Sequence, residues 1–128
     1  MKCEDSDNLV VMKTDLPGRT FEFAKRIVKL CQLLEEKRGV AQALGRQLIR
    51  SGTSIGANIE EGQASCSRKD FAFKCSISCR EARETLYWLR LIAESDIVSS
   101  ERPRPLIEEC NELVAILTTI VKKVRKEV

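Results

Sequence analysis

A chain of 128 residues is sized for one domain that buries about two-thirds of the surface its unfolded form exposes, and with 43% hydrophobic and 32% charged residues it is too apolar for extended disorder. The formal net charge of +3 is smaller than the concentrated excess of a dedicated nucleic-acid binder, and the absence of histidine removes the usual general base and the commonest metal ligand. With four Phe, one Tyr and one Trp, aliphatic side chains have to fill the core.

Residues 1–18 carry four acidic side chains and end in Pro17-Gly18, so they are expected to form a flexible leader ahead of a single domain over 19–128. Thr20 is placed to cap a first helix in which Phe21, Ala24, Ile27, Val28, Cys31 and Leu34 repeat at helical spacing up to Gly39. Phe23, Leu30 and Leu33 form a second apolar row beside that seam, wider than a two-helix contact needs and available to another subunit. A second helix follows, with Ala41, Leu44, Leu48, Ser51, Ile55, Ile59 and Gly62 alternating steps of three and four.

Within that helix Gly52 and Gly56 each cost about 1 kcal/mol relative to Ala, so something must compensate them. The reading is close approach of a neighbouring helix. Ser67 with Asp70 three positions later resembles a capping box, and Phe71, Cys75, Ser78, Ala82, Thr85, Leu89 and Ile92 carry a third helix to about Ser95, with Tyr87, Trp88 and Leu91 as flanking apolar surface. The stretch from Asp96 to Pro105 breaks the pattern. A fourth seam of Leu106, Cys110, Leu113, Leu117, Ile120 and Val124 ends in Lys122, Lys123, Arg125 and Lys126, cations that suit the negative end of a helix dipole. No segment alternates with period two, so the fold class is all-α, an antiparallel up-down four-helix bundle.

Catalytic chemistry is hard to assemble from these residues. No phosphate-cradling glycine loop, Ser-x-x-Lys pair or nucleophile–base pair is found, so an enzyme is not expected, and neither is a metal or cofactor. Glu60, Glu61, Glu81 and Glu84 read as solvated or arginine-paired carboxylates rather than cation ligands. The six cysteines, Cys3, Cys31, Cys66, Cys75, Cys79 and Cys110, follow no disulfide framework and no secretory signal is read ahead of them, so a reduced, cytoplasmic protein is expected.

Two polar features remain. Ser54, Asn58 and Glu61 step by four and three along one face of the second helix and read first as a network to Arg80, Glu81, Arg83 and Glu84 of the third, with a ligand site or a subunit contact as the other readings. Residues 19–38 and residues 68–90 each carry six basic and three acidic side chains, which makes Lys25, Arg26, Lys29, Lys74, Arg80 and Arg83 the candidate phosphate contacts. A ring of subunits would repeat such a patch and sum its field. Few exposed aromatics are evident, so the expected binding is driven by charge and shape, not by base stacking. A scaffold for protein partners is the alternative.

The string Gln47-Leu48-x-Arg50-Ser51-x-x-Ser54-Ile55-x-x-Asn58-Ile59-x-Glu61-Gly62, followed by Phe71 and the segment from Glu81 to Leu89, resembles the four-helix-bundle proteins associated with intervening sequences in bacterial 23S ribosomal RNA genes, to which the accessory proteins of diversity-generating retroelements are related. The resemblance implies a cytoplasmic bacterial protein assembled as a homopentameric ring. It carries no catalytic residue onto this chain and marks Ser54, Asn58, Glu61 and Gly62 only as signature positions.

Overall fold

The structure, a computed structural model, describes residues 15–126, whose regular structure is four long helices. They are α1 (Leu16–Lys37), α2 (Gly39–Gln63), α3 (Arg68–Glu94) and α4 (Arg104–Arg125), with no strand among the described residues. The fold is therefore all-α. Helix α2 packs closely on both α1 and α3, α3 packs on α4, and α4 touches α1 more lightly.

The ends follow local chemistry. Ser67, in extended backbone, accepts a hydrogen bond from the Asp70 amide at 3.0 Å, the capping arrangement read from the sequence. Pro105 lies in the first turn of α4, where its missing N–H is not needed. Between α1 and α2 the chain passes through Arg38 and Gly39, both with positive φ near 60°. Helix α1 begins earlier than the sequence suggests: Leu16, Pro17 and Gly18 form its first turn, while residues 1–14 of the expected leader lie outside the described residues. Thr20 is thus not a cap. It lies inside the helix, buried, and its hydroxyl donates to the Leu16 carbonyl at 2.8 Å.

The seams of α2, α3 and α4 read from the sequence are buried, apart from half-buried Leu44, but in α1 the core takes Ile27, Cys31 and Leu34 from the expected seam and Phe23 and Leu30 from the row beside it. Phe23, Ile27, Leu30 and Leu34 enter the core, whereas Phe21 and Val28 are exposed. Residues of both rows recur at helical spacing and are similarly hydrophobic, so periodicity alone does not choose which of them face the core. The glycines of α2 do. A Cβ on Gly52 would lie 2.9 Å from Ile27 Cγ2, one on Gly56 3.0 Å from Thr20 Oγ1, and one on Gly45 3.0 Å from Leu34 Cβ. Thr20, Ile27 and Leu34 step by sevens along α1, so they form the row that fits against the missing side chains of α2.

Cys31, Cys75, Cys79 and Cys110 are buried free thiols; Cys66 is exposed, and Cys3 lies outside the described residues. Desolvation pushes the thiols of Cys31, Cys75 and Cys110 up to about 12. The Cys31 thiol donates to the Gly45 carbonyl and that of Cys110 to the Ala82 carbonyl, each at 3.3 Å. They behave as small core residues.

Two outcomes follow from this packing. Gly52→Ala gains up to about 1 kcal/mol of helix propensity but overpacks Ile27, a cost of about 1–3 kcal/mol, so denaturant unfolding should show a net loss that largely vanishes in an Ile27→Ala background. Thiol titration should modify Cys66 in the native protein and the buried cysteines only on unfolding. Because the unfolded thiols ionise near 9 while the buried ones resist to about 12, stability should fall as pH rises through that interval.

Candidate functional site

The signature string lies on α2, between α1 and α3, and its small residues serve both neighbours. On the α3 side Ser78 Oγ donates to the Ile55 carbonyl at 2.9 Å, and Thr85 Oγ1 donates to Ser51 Oγ at 2.9 Å, with Ser51, Ser78 and Thr85 all buried. Gly62 accommodates Phe71 and Lys74, whose Cβ would stand 3.3 Å from an added methyl. Short hydroxyl side chains hydrogen-bond across the contact without pushing the backbones apart, and every buried hydroxyl of the set has a partner.

The polar row Ser54, Asn58 and Glu61 does not form the expected network. Ser54 Oγ donates to the Arg50 carbonyl and Asn58 Nδ2 to the Ser54 carbonyl, each at 2.8 Å and each within α2. Both side chains are half-buried, so a local carbonyl one turn back is their nearest acceptor. Only Glu61 reaches α3, where Lys74 Nζ stands 2.6 Å from its carboxylate and is held above its ordinary pKa by that hydrogen bond. Glu81 and Glu84 turn instead to Arg50: Glu81 lies 3.5 Å from Arg50 Nη1, and Glu84 pairs with Nη2 while accepting the Trp88 indole N–H at 2.9 Å. Arg50 was visible in the sequence string, but its role depends on α3 bringing two carboxylates and an indole beside it.

The six candidate phosphate contacts are distributed over different faces. Lys25 pairs with Glu22 on its own helix at 3.1 Å, and Lys74 with Glu61. Arg26 and Lys29 on α1 and Arg80 on α3 are exposed with no carboxylate partner among the described residues, while Arg83 Nη2 donates to Thr118 Oγ1 of α4 at 2.9 Å. Helices α1 and α3 are separated by α2 and α4, so one chain does not join the two basic groups into a single surface. Arg90, whose exposed side chain has no carboxylate partner among the described residues, extends the α3 group.

The other interhelical crevices are closed by charge pairs. Arg19 of α1 forks onto Glu109 at 2.7 and 2.9 Å and reaches Glu112 at 2.9 Å, hydrogen bonds that raise its pKa, Glu109 first. Glu35 of α1 accepts from Gln42 at 2.6 Å and from Arg46 at 3.3 Å on α2, and these bonds lower its pKa, Gln42 contributing most. No three His, Cys, Asp or Glu side chains gather as a cation site among the described residues, and Glu60 is exposed. The buried hydroxyls and the half-buried Asn58 should separate in mutagenesis: Ser78→Ala is expected to cost about 0.5–1.5 kcal/mol by chemical denaturation, whereas Asn58→Ala should stay within about 0.5 kcal/mol of the parent.

Comparison with known proteins places this arrangement. No curated protein matches the chain. A crystal structure of a protein with unknown function from the S23 ribosomal protein family of Bacteroides thetaiotaomicron is 38% identical, with a TM-score of 0.75 over 83% of this chain and 97% of that one. Residues 13–119 match the sequence model described as 23S rRNA-intervening sequence protein, a span that contains the α2 signature, the whole of α3 and most of α4. The chain belongs to the 23S rRNA-intervening sequence protein family.

Proposed function

We propose that this protein is a non-enzymatic, oligomeric nucleic-acid-associated protein of the bacterial cytoplasm, an antiparallel up-down bundle that assembles into a homopentameric ring and binds RNA, or DNA, through phosphate contacts. The observation that carries the reading is the set of exposed arginines and lysines without carboxylate partners among the described residues, Arg26 and Lys29 on α1 and Arg80 and Arg83 on α3. Elsewhere the exposed cations of the interhelical crevices are drawn into pairs, which makes the unpaired ones available to a polyanion. Lys25 and Lys74 can join them, because exposed ion pairs are worth 1 kcal/mol or less and a phosphate competes with the carboxylate. The family description, which names a 23S rRNA-intervening sequence, makes RNA the first polymer to test.

The antiparallel arrangement is supported by the order of contacts: Leu34 meets Gly45 beside the α1–α2 turn, Ile27 meets Gly52, and Thr20 meets Gly56 far from it. The ring is supported by need and by surface. One chain holds its two basic groups on separated helices, and repetition around a ring sums their field. Phe21, Val28, Val40 and Ile49 expose apolar side chains on α1 and α2, a surface that self-association would cover. The same surface favours the second reading, a scaffold that presents it to a different protein.

Light scattering of the purified protein with and without mixed RNA, at low and at high salt, separates these readings. The expected result is an oligomer that shifts to larger size with RNA at low salt and loses it at high salt, each phosphate contact contributing about −0.7 to −0.9 to the slope of log K against log salt. An oligomer that ignores RNA at low salt would leave the scaffold reading. A monomer that ignores RNA sinks the ring and the nucleic-acid reading together.

A further inference from the structure

Helix α3 presents to solvent a stripe that the packing of the protein does not use. Its buried positions, from Phe71 and Cys75 to Leu89 and Ile92, face the core, and its ion pairs, Lys74 with Glu61 and Glu81 and Glu84 with Arg50, lie toward α2. On the outward side Phe73, Arg80, Arg83, Tyr87 and Arg90 follow one another by steps of seven, three, four and three. At 3.6 residues per turn these five fall within roughly 100° of the helix circumference, a single strip. Phe73 is 60% exposed and Tyr87 57%, more open aromatic surface than the sequence reading of Tyr87 as flanking apolar surface and of few exposed aromatics suggests.

Aromatic rings and arginines interleaved in this way differ from both ordinary alternatives. A solvated charged face has no use for two large exposed rings, each of which leaves apolar area in water. A dry subunit contact would bury three guanidinium groups for which the described residues supply no carboxylate. The Tyr87 ring is also braced. It meets the Trp88 ring edge-on, with centroids 5.1 Å apart and planes at 75°, while the Trp88 indole N–H is held by Glu84. A shallow groove lined by Tyr87, Arg90, Leu91 and Glu94 opens beside the ring. Arg83, tied to Thr118 by one Nη2 donor, keeps its other N–H groups for a ligand.

A single-stranded nucleic acid offers what this strip lacks on both counts: flat π-faces for the rings and phosphates for the guanidinium groups. Tyr87 lies about 6 Å along the helix axis from Arg83 and about 4.5 Å from Arg90, so a base stacked on the ring places its flanking phosphates near one or the other. A paired duplex keeps its base faces stacked inside and does not offer them to a ring.

Resting on the nucleic-acid reading above, we infer that the outward strip of α3 is a binding track for unpaired RNA, with Tyr87 and Phe73 as stacking platforms and Arg80, Arg83 and Arg90 as phosphate contacts. The test is fluorescence anisotropy of the full chain with a short labelled oligoadenylate and with an RNA duplex of equal length, at low salt. Single-strand binding should be the tighter of the two. Tyr87→Ala and Phe73→Ala should each weaken it about tenfold, with duplex binding unchanged and Tyr87→Phe close to the parent. Replacing Arg80, Arg83 and Arg90 together by Gln should flatten the salt dependence, and Trp88 emission should change when the oligoadenylate binds. Salt-sensitive binding that is indifferent to both alanine variants, or that prefers the duplex, overturns the stacking track and leaves the broader nucleic-acid reading in place. Absence of any binding at low salt overturns both. A change of oligomer size in Tyr87→Ala without RNA, read by light scattering, makes the strip a subunit contact and overturns the inference as well.

Discussion

Ile27 resting against the bare Cα of Gly52 sets how closely α1 approaches α2, and much of the remaining structure depends on that distance. With any side chain at position 52 the helices would separate, and the contacts of Leu34 with Gly45 and Thr20 with Gly56 above and below would open with them. The same closeness fixes the rotation of α1 about its axis. Once Thr20, Ile27 and Leu34 face the glycines, Phe23 and Leu30 are carried into the core and Phe21 and Val28 out of it. The propensity lost at the glycines is offset by van der Waals contact along the full length of the pair.

A second consequence concerns α2 as the shared wall between its neighbours. Its α1 face is made of glycines, and its α3 face carries Ser51 and the Ile55 carbonyl, which take hydrogen bonds from Thr85 and Ser78. Small residues on both sides let α2 pack closely against α1 and α3 at once. Within the signature string the hydroxyl and amide groups of Ser51, Ser54 and Asn58 bond to backbone or hydroxyl partners, while Arg50 and Glu61 pair with charged side chains of α3.

Charge is distributed by the same geometry. Where helices close against one another at the surface, arginine or lysine meets glutamate: Arg19 with Glu109 and Glu112, Arg46 with Glu35, Arg50 with Glu81 and Glu84, Lys74 with Glu61. The net charge of +3 therefore conceals an uneven surface, with Arg80, Arg83 and Arg90 on the outward side of α3 while Glu81 and Glu84 turn toward Arg50 of α2.

The sequence by itself determined the number and kind of elements, because the three-and-four spacing of Leu48, Ser51, Ile55 and Ile59 and its counterparts is a local property of helices, and the Ser67 cap and the break before Pro105 are chosen by residues within one turn. It also located the α2 signature and the basic content of α1 and α3. The tertiary structure decided which members of the two apolar rows on α1 are buried, since that choice belongs to the glycines of another helix. It decided that Ser54 and Asn58 bond within their own helix while Arg50 takes the carboxylates of α3, and that Phe73 and Tyr87 stand open between arginines. A residue's period along one helix is written in the chain, whereas its exposure and its ion partner depend on what the neighbouring helices bring to the same place.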